Sequence, residues 1–123
     1  MKKNIETRED IELLINSFYK KVRQDECIGF IFNDIAKVDW DHHLPIMYSF
    51  WESVLLDKYT YKGNAMEPHI RLSKKVKLLP EHFSRWLKLF YTSVDEHFTG
   101  PGADAAKERA ANIASLMQLK VQQ

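Results

Sequence analysis

Glu67-Pro68-His69-Ile70-Arg71-Leu72 sets a histidine directly behind a proline and ahead of a run of cations, Arg71, Lys74, Lys75 and Lys77. His69 has no long periodic segment of its own. A short helical turn started by Pro68 presents it from a loop, where functional side chains are often held by a rigid scaffold. The fold class is decided by what flanks it: long segments whose apolar residues recur at helical spacing, with aromatics enough to line a pocket for something large and flat.

Downstream, Pro80 and Glu81 open the clearest helix, with proline at the first helical position and an acid in the first turn. Phe83, Leu87, Phe90, Val94 and Phe98 form its stripe, and Trp86 lies on the same side. Gly100-Pro101-Gly102 is expected to stop it. A last helix is predicted over 103–118, with Ala106, Ala110, Ile113 and Met117 inward; its small residues permit close approach to a neighbour.

Upstream, a helix is predicted from about Asp41 to Leu56, with His43, Met47, Phe50 (beside Trp51) and Val54 on its stripe. Pro45 belongs in a first helical turn, so His43 is expected at the very start of the helix or just ahead of it. A lone histidine on an apolar face is more often a core residue than a ligand. Between 57 and 68 the periodicity breaks, with Lys62-Gly63-Asn64 as a turn. The connector 25–34 is rich in aromatics; Gly29 supplies a turn, and the alternation of Phe30 and Phe32 sends one ring inward. Before it, Thr7 and Asp10 resemble a capping box ahead of Ile11, Leu14, Ile15, Phe18 and Val22, one face of an amphipathic helix. Tyr19 borders that face, either as core packing or as a phenol donor into a pocket.

Nothing reads as strand. The expectation is an all-α, single domain over 1–123, with about four long helices. Eighteen Lys plus Arg against seventeen Asp plus Glu leave +1, which gives no electrostatic case for nucleic acid or an anionic membrane. No segment is long and apolar enough to span a bilayer, and no signal-peptide pattern follows Met1. The single cysteine, Cys27, is expected as a small buried filler in a reducing, cytoplasmic setting. His42, His82 and His97 are expected at the surface.

The inward residues make a constellation: His69 on a loop, Tyr19, His43 and Trp86 as polar tips on apolar stripes, and Phe32. Haem requires one imidazole donor, a deep apolar slot, and cations for its propionates. His69 would be the donor, and Arg71 with Lys74 or Lys75 the cations. A phenol and an indole N–H are donors suited to a polar ligand on the open side of the iron.

The segments His69-x-x-Leu72, Pro80-Glu81-His82-Phe83-x-x-Trp86-Leu87-x-x-Phe90, Gly100 and Arg109-Ala110-x-x-Ile113-Ala114 resemble the group III truncated haemoglobins. So do Phe18-Tyr19-x-x-Val22, Ile31-Phe32-Asn33, and His43 seven residues before Phe50-Trp51. The resemblance spans nearly the whole chain. It implies a truncated globin fold, a short helical sandwich around haem b. It implies His69 as proximal iron ligand, Tyr19, His43 and Trp86 as distal groups, Phe32 packed on the porphyrin, and Met47, Phe50, Trp51 and Phe83 as pocket wall. The function implied is binding of O₂, NO or CO. NO dioxygenation or a peroxidase-like reaction would require a separate reductase, since no flavin or nicotinamide fingerprint is present. A monomer or weak dimer is expected. The competing reading is a haem-free helical interaction or sensing module.

Overall fold

Among the described residues, which are 2–56 and 77–121 of a computed structural model, four α-helices and one π-helical turn carry the chain. They are α1 (Arg8–Gln24), the π turn (Ile31–Ile35), α2 (Trp40–Leu55), α3 (Pro80–His97) and α4 (Pro101–Val121). The break expected over 57–68, together with His69, Arg71, Lys74 and Lys75, lies outside the described residues. Within them there is no extended strand, and no helix is long and apolar enough to cross a membrane.

α1 starts as expected. The Thr7 hydroxyl accepts from the Asp10 amide, and the Asp10 carboxylate accepts in return from the Thr7 and Glu6 amides. This satisfies the orphan donors of a first turn. The predicted stripe of Ile11, Leu14, Ile15, Phe18 and Val22 is completely buried. α1 packs against both α2 and α3, α3 against α4, and α4 closes onto α2.

Polar side chains also tie α1 to α2. Arg8 donates to the buried Glu52 carboxylate at 3.0 Å, and the Tyr48 hydroxyl donates to Asn16 Oδ1. The end of α1 is fixed by Asp25. Its carboxylate accepts from the Cys27 and Ile28 amides and from Arg85 of α3 at 2.7 Å. Gly29 follows in close contact with α1: a Cβ there would lie 3.1 Å from the Val22 carbonyl and 3.2 Å from that of Arg23. A side chain there would force the connector or the end of α1 to give by a few tenths of an ångström.

Three boundaries differ from the sequence reading. α2 begins at Trp40, so His43 lies in its first turn, donating its amide to the Asp39 carbonyl, and Pro45 lies in the second turn. α3 ends at His97, before Gly100-Pro101-Gly102, because Phe98 turns extended and forms a parallel bridge with Lys3. Thr99 donates its amide to the Lys3 carbonyl. α4 then starts at Pro101, and its cap comes from far away in sequence: Asn4 Oδ1 accepts from the Gly102 amide at 2.7 Å. A Cβ on Gly102 would meet that oxygen at 2.6 Å and the Ile5 carbonyl at 2.7 Å, so the clamp requires glycine.

Burial pushes the Asp25 carboxyl up, but Arg85 and the two amides outweigh it and hold it below the usual carboxylate range. A depressed folded value means that Asp25 contributes stability above its unfolded pKa, about 3.9, and loses it as pH falls through the folded value. Asp25→Asn is therefore expected to lower unfolding stability by about 1–3 kcal/mol at pH 7, since only one of the two acceptor oxygens and none of the charge remains. Urea titrations at pH 7 and at lower pH should show that deficit shrinking on acidification. A deficit independent of pH would mean that the carboxylate charge is not what ties α1 to α3.

Candidate functional site

α1 turns Tyr19 toward one end of the helix layers, where the connector, α2, the first turns of α3 and the end of α4 leave a cavity of about 340 Å³. That size lies within the usual span of small-molecule sites, about 300–1,000 Å³. Tyr19 and Phe32 contribute from α1 and the π turn, and His43, Met47, Phe50 and Trp51 from α2. Phe83 and Trp86 close it from α3, and Ile113 from α4. Apart from Ile113, these are the eight expected site residues that lie among the described residues, and they line one space. His69, Arg71 and Lys74 lie outside the described residues.

The wall is built by ring packing. Phe18, fully buried, meets Trp86 and Phe90 edge-on at 5.5 and 5.2 Å. Phe90 lies between two stacked indoles, Trp51 at 4.8 Å and Trp86 at 5.8 Å. Edge-to-face and offset-stacked pairs at these separations are the favoured arrangements of aromatic quadrupoles. They fix the orientation of Trp86 from behind.

Tyr19 is 7% exposed. Its ring is held by Phe18 at 4.9 Å, Trp40 at 5.1 Å, His43 at 5.5 Å and Phe32 at 6.2 Å. Burial pushes the phenol far above its ordinary pKa, so the hydroxyl keeps its proton. Among the described residues that hydroxyl has no hydrogen-bond partner, and neither has the Trp86 indole N–H. Both residues border the cavity. Neither atom is a sealed, unsatisfied group: both reach accessible space, so each is available to donate to something held in it.

Trp40 is the residue the sequence reading passed over. It touches Tyr19, stacks with Phe32 at 6.3 Å and meets His43 at 5.7 Å. The signal was available: Trp40, His43, Met47 and Phe50 follow one helical stripe, but a helix begun at Asp41 left Trp40 outside it. The π turn performs the expected sorting of the connector rings, with Phe30 at 40% exposure and Phe32 on the cavity.

Two histidines expected at the surface are engaged. His97, half-buried, has its Nε2 at 3.2 Å from the Ser17 hydroxyl. His82, also half-buried, lines the cavity, and its Nδ1 accepts from the Leu79 amide at 3.0 Å, capping α3. That bond fixes the neutral tautomer with the proton on Nε2. A metal-ligating imidazole carries its other nitrogen as a donor. Were His82 to ligate through Nε2, two N–H groups would face each other at the helix start. His82 is thus a cap at the cavity rim and an unfavourable ligand. His42 is exposed as expected, and Cys27 is half-buried against the core.

An apolar slot walled by rings, with unpaired neutral donors on one side, fits a flat macrocycle carrying a small polar ligand. No family model matches the chain. It is 32% identical over 114 residues to the Group 3 truncated hemoglobin ctb of Campylobacter jejuni, a match covering 90% of this chain and 87% of that protein. The crystal structure of the group III truncated hemoglobin from Campylobacter jejuni matches the fold with a TM-score of 0.84 at 32% identity, over 98% of this chain and 95% of that one. In sequence and in fold alike, this chain belongs to the group III truncated haemoglobins.

Proposed function

We propose that the chain binds haem b in the ring-walled cavity, with His69 as the axial ligand, and retains a diatomic gas through donors on the far side. The observation that supports it best is Tyr19, a residue held in the ring cluster at the cavity wall whose hydroxyl keeps its proton and has no partner among the described residues. The haem would supply a coordination position for O₂, NO or CO, and the one electron by which O₂ and NO become nitrate, to be returned by a separate reductase.

The chain's residues do the rest. Phe32, Met47, Phe50 and Phe83 exclude water from the slot. Tyr19 donates to a ligand carrying partial negative charge, and Trp86, held against Phe90, offers a second donor. His43 packs edge-on against Tyr19 and Trp40, which holds the phenol in place from the mouth side. Arg71 and Lys74 are assigned to the propionates. Donors that retain O₂ slow its release, which suits chemistry on the held ligand, such as NO conversion, better than oxygen delivery. A reducing cytoplasmic setting belongs to this reading.

Absorption spectra of the purified protein in ferric, ferrous and CO-bound forms test the haem itself; a colourless protein that fails to take up added haem would favour the interaction module. For the ligand, His69→Ala should purify largely free of haem, while His82→Ala should keep haem and lose only helix-cap stability. The reverse pattern would transfer the ligand role to His82.

Tyr19→Phe deletes the donor and leaves the ring. A hydrogen bond to a charged partner contributes roughly 1.5–3 kcal/mol. Flash photolysis and stopped flow should therefore show O₂ dissociation about ten- to a hundredfold faster. CO dissociation should change far less, because bound CO is less polar. An O₂ rate that does not move removes Tyr19 from this role.

Trp86→Phe likewise keeps most of the stacking on Phe90 while deleting the indole N–H. The expected outcome is altered O₂ release with haem content unchanged. Haem loss with unaltered release in the remaining holoprotein would make Trp86 purely a packing residue.

A further inference from the structure

Tyr19 also borders a second hollow of about 620 Å³, between α1 and the start of α2. Its chemistry is unlike that of the cavity. Among the described residues it is lined by Lys20 and Arg23 and by the amides of Asn16, Gln24 and Asn33, with no carboxylate. Tyr19, Trp40 and Leu44 complete it, and Tyr19 also borders the cavity.

We propose that this groove binds a small organic oxyanion, a carboxylate or phosphate, and that the bound anion acts on the gas-binding cavity through Trp40 and the Tyr19 ring it packs against. Two observations carry the assignment. First, neither Lys20 nor Arg23 has an ion-pair partner among the described residues, whereas the adjacent Lys21 is paired with Glu96 at 2.8 Å. Cations in a last turn also complement the helix dipole, but that requires no hollow between them. Second, the side chains around them are already oriented. Asn16 Oδ1 is taken by the Tyr48 hydroxyl, which leaves its NH₂ as the donor face, and Asn33 Nδ2 is anchored to the Arg23 carbonyl at 2.9 Å.

The coupling follows from ring contacts. The Arg23 guanidinium lies 5.0 Å over the Trp40 ring, and Trp40 touches both Tyr19 and His43. An oxyanion offers Arg23 a bidentate, charge-assisted partner stronger than an indole face. Engaging it redistributes the contacts that hold Trp40, and with them the phenol and imidazole on the cavity side. Binding in the groove needs no haem. Only the coupling rests on the proposed function.

The test uses the protein as purified, in the CO-bound ferrous form if it carries haem, at constant ionic strength so that screening is not mistaken for binding. Inorganic phosphate and citrate are titrated separately while indole N–H signals are followed by NMR, with the Trp40 signal identified from Trp40→Phe. The expected result is saturable movement of that signal by at least one probe, and which probe binds tighter distinguishes phosphate from carboxylate chemistry. In the Lys20→Gln/Arg23→Gln double variant the dissociation constant should rise about tenfold or more. No saturable movement, or movement unchanged in the double variant, overturns the site. O₂ dissociation measured with and without saturating anion reads the coupling: a changed rate in the parent that is unchanged in Tyr19→Phe supports it, and an unaltered rate in the parent overturns it. Absence of haem would sink the proposed function while leaving the indole titration fully interpretable.

Discussion

Phe18 and Tyr19 are neighbours on one helix, and everything else in the structure is arranged around their difference. Phe18 reaches the interior, where it meets Trp86 and Phe90 edge-on and has almost no exposed surface. Tyr19, turned about 100° further round the helix, passes through the same ring cluster but ends on open space. A helix that buries one face completely cannot rotate without exposing that face. The five buried stripe residues of α1 therefore fix the direction in which the phenol points. Its hydroxyl is preorganised by hydrophobic packing rather than by a polar partner, which leaves its donor capacity available.

This explains how the sequence could be read so far and no further. The α1 stripe was legible because all five of its apolar residues are buried, so periodicity and burial coincide. In α2 they do not. His43, Met47 and Phe50 follow the same period but are half-buried, because their face borders a cavity rather than a packed core. A hydrophobic stripe looks the same in either case. Trp40 was missed for a related reason: Pro45 argued for a late helix start, yet the chain tolerates proline in the second turn. The resemblance carried the distal residues as a set, but only geometry shows that Tyr19 and Trp86 border one space as donors without partners. His82 illustrates the opposite limit. Its place behind Pro80 suggested a surface residue, and no pattern announces that its Nδ1 caps α3 from the cavity rim.

The helix boundaries teach the same lesson through the backbone. Gly100-Pro101-Gly102 looked like a stop signal for α3, and is instead the start of α4. What ends α3 is pairing with a segment near the other end of the chain, Lys3 against Phe98 and Thr99. Local propensity gives a helix several acceptable places to end, and tertiary pairing selects among them.

That pairing also constrains the order of assembly. Asn4 and Gly102 are 98 positions apart, and their hydrogen bond caps α4. On a ribosome the amino-terminal segment emerges early and must wait for nearly the whole chain before its partners exist. α1 can form and begin collecting apolar contacts meanwhile, but the corner between α3 and α4 can lock only late, after a long loop has closed. The fold thus has a natural sequence of events, with the helix that aims the phenol formed early and the clasp that joins the two ends of the chain closed last.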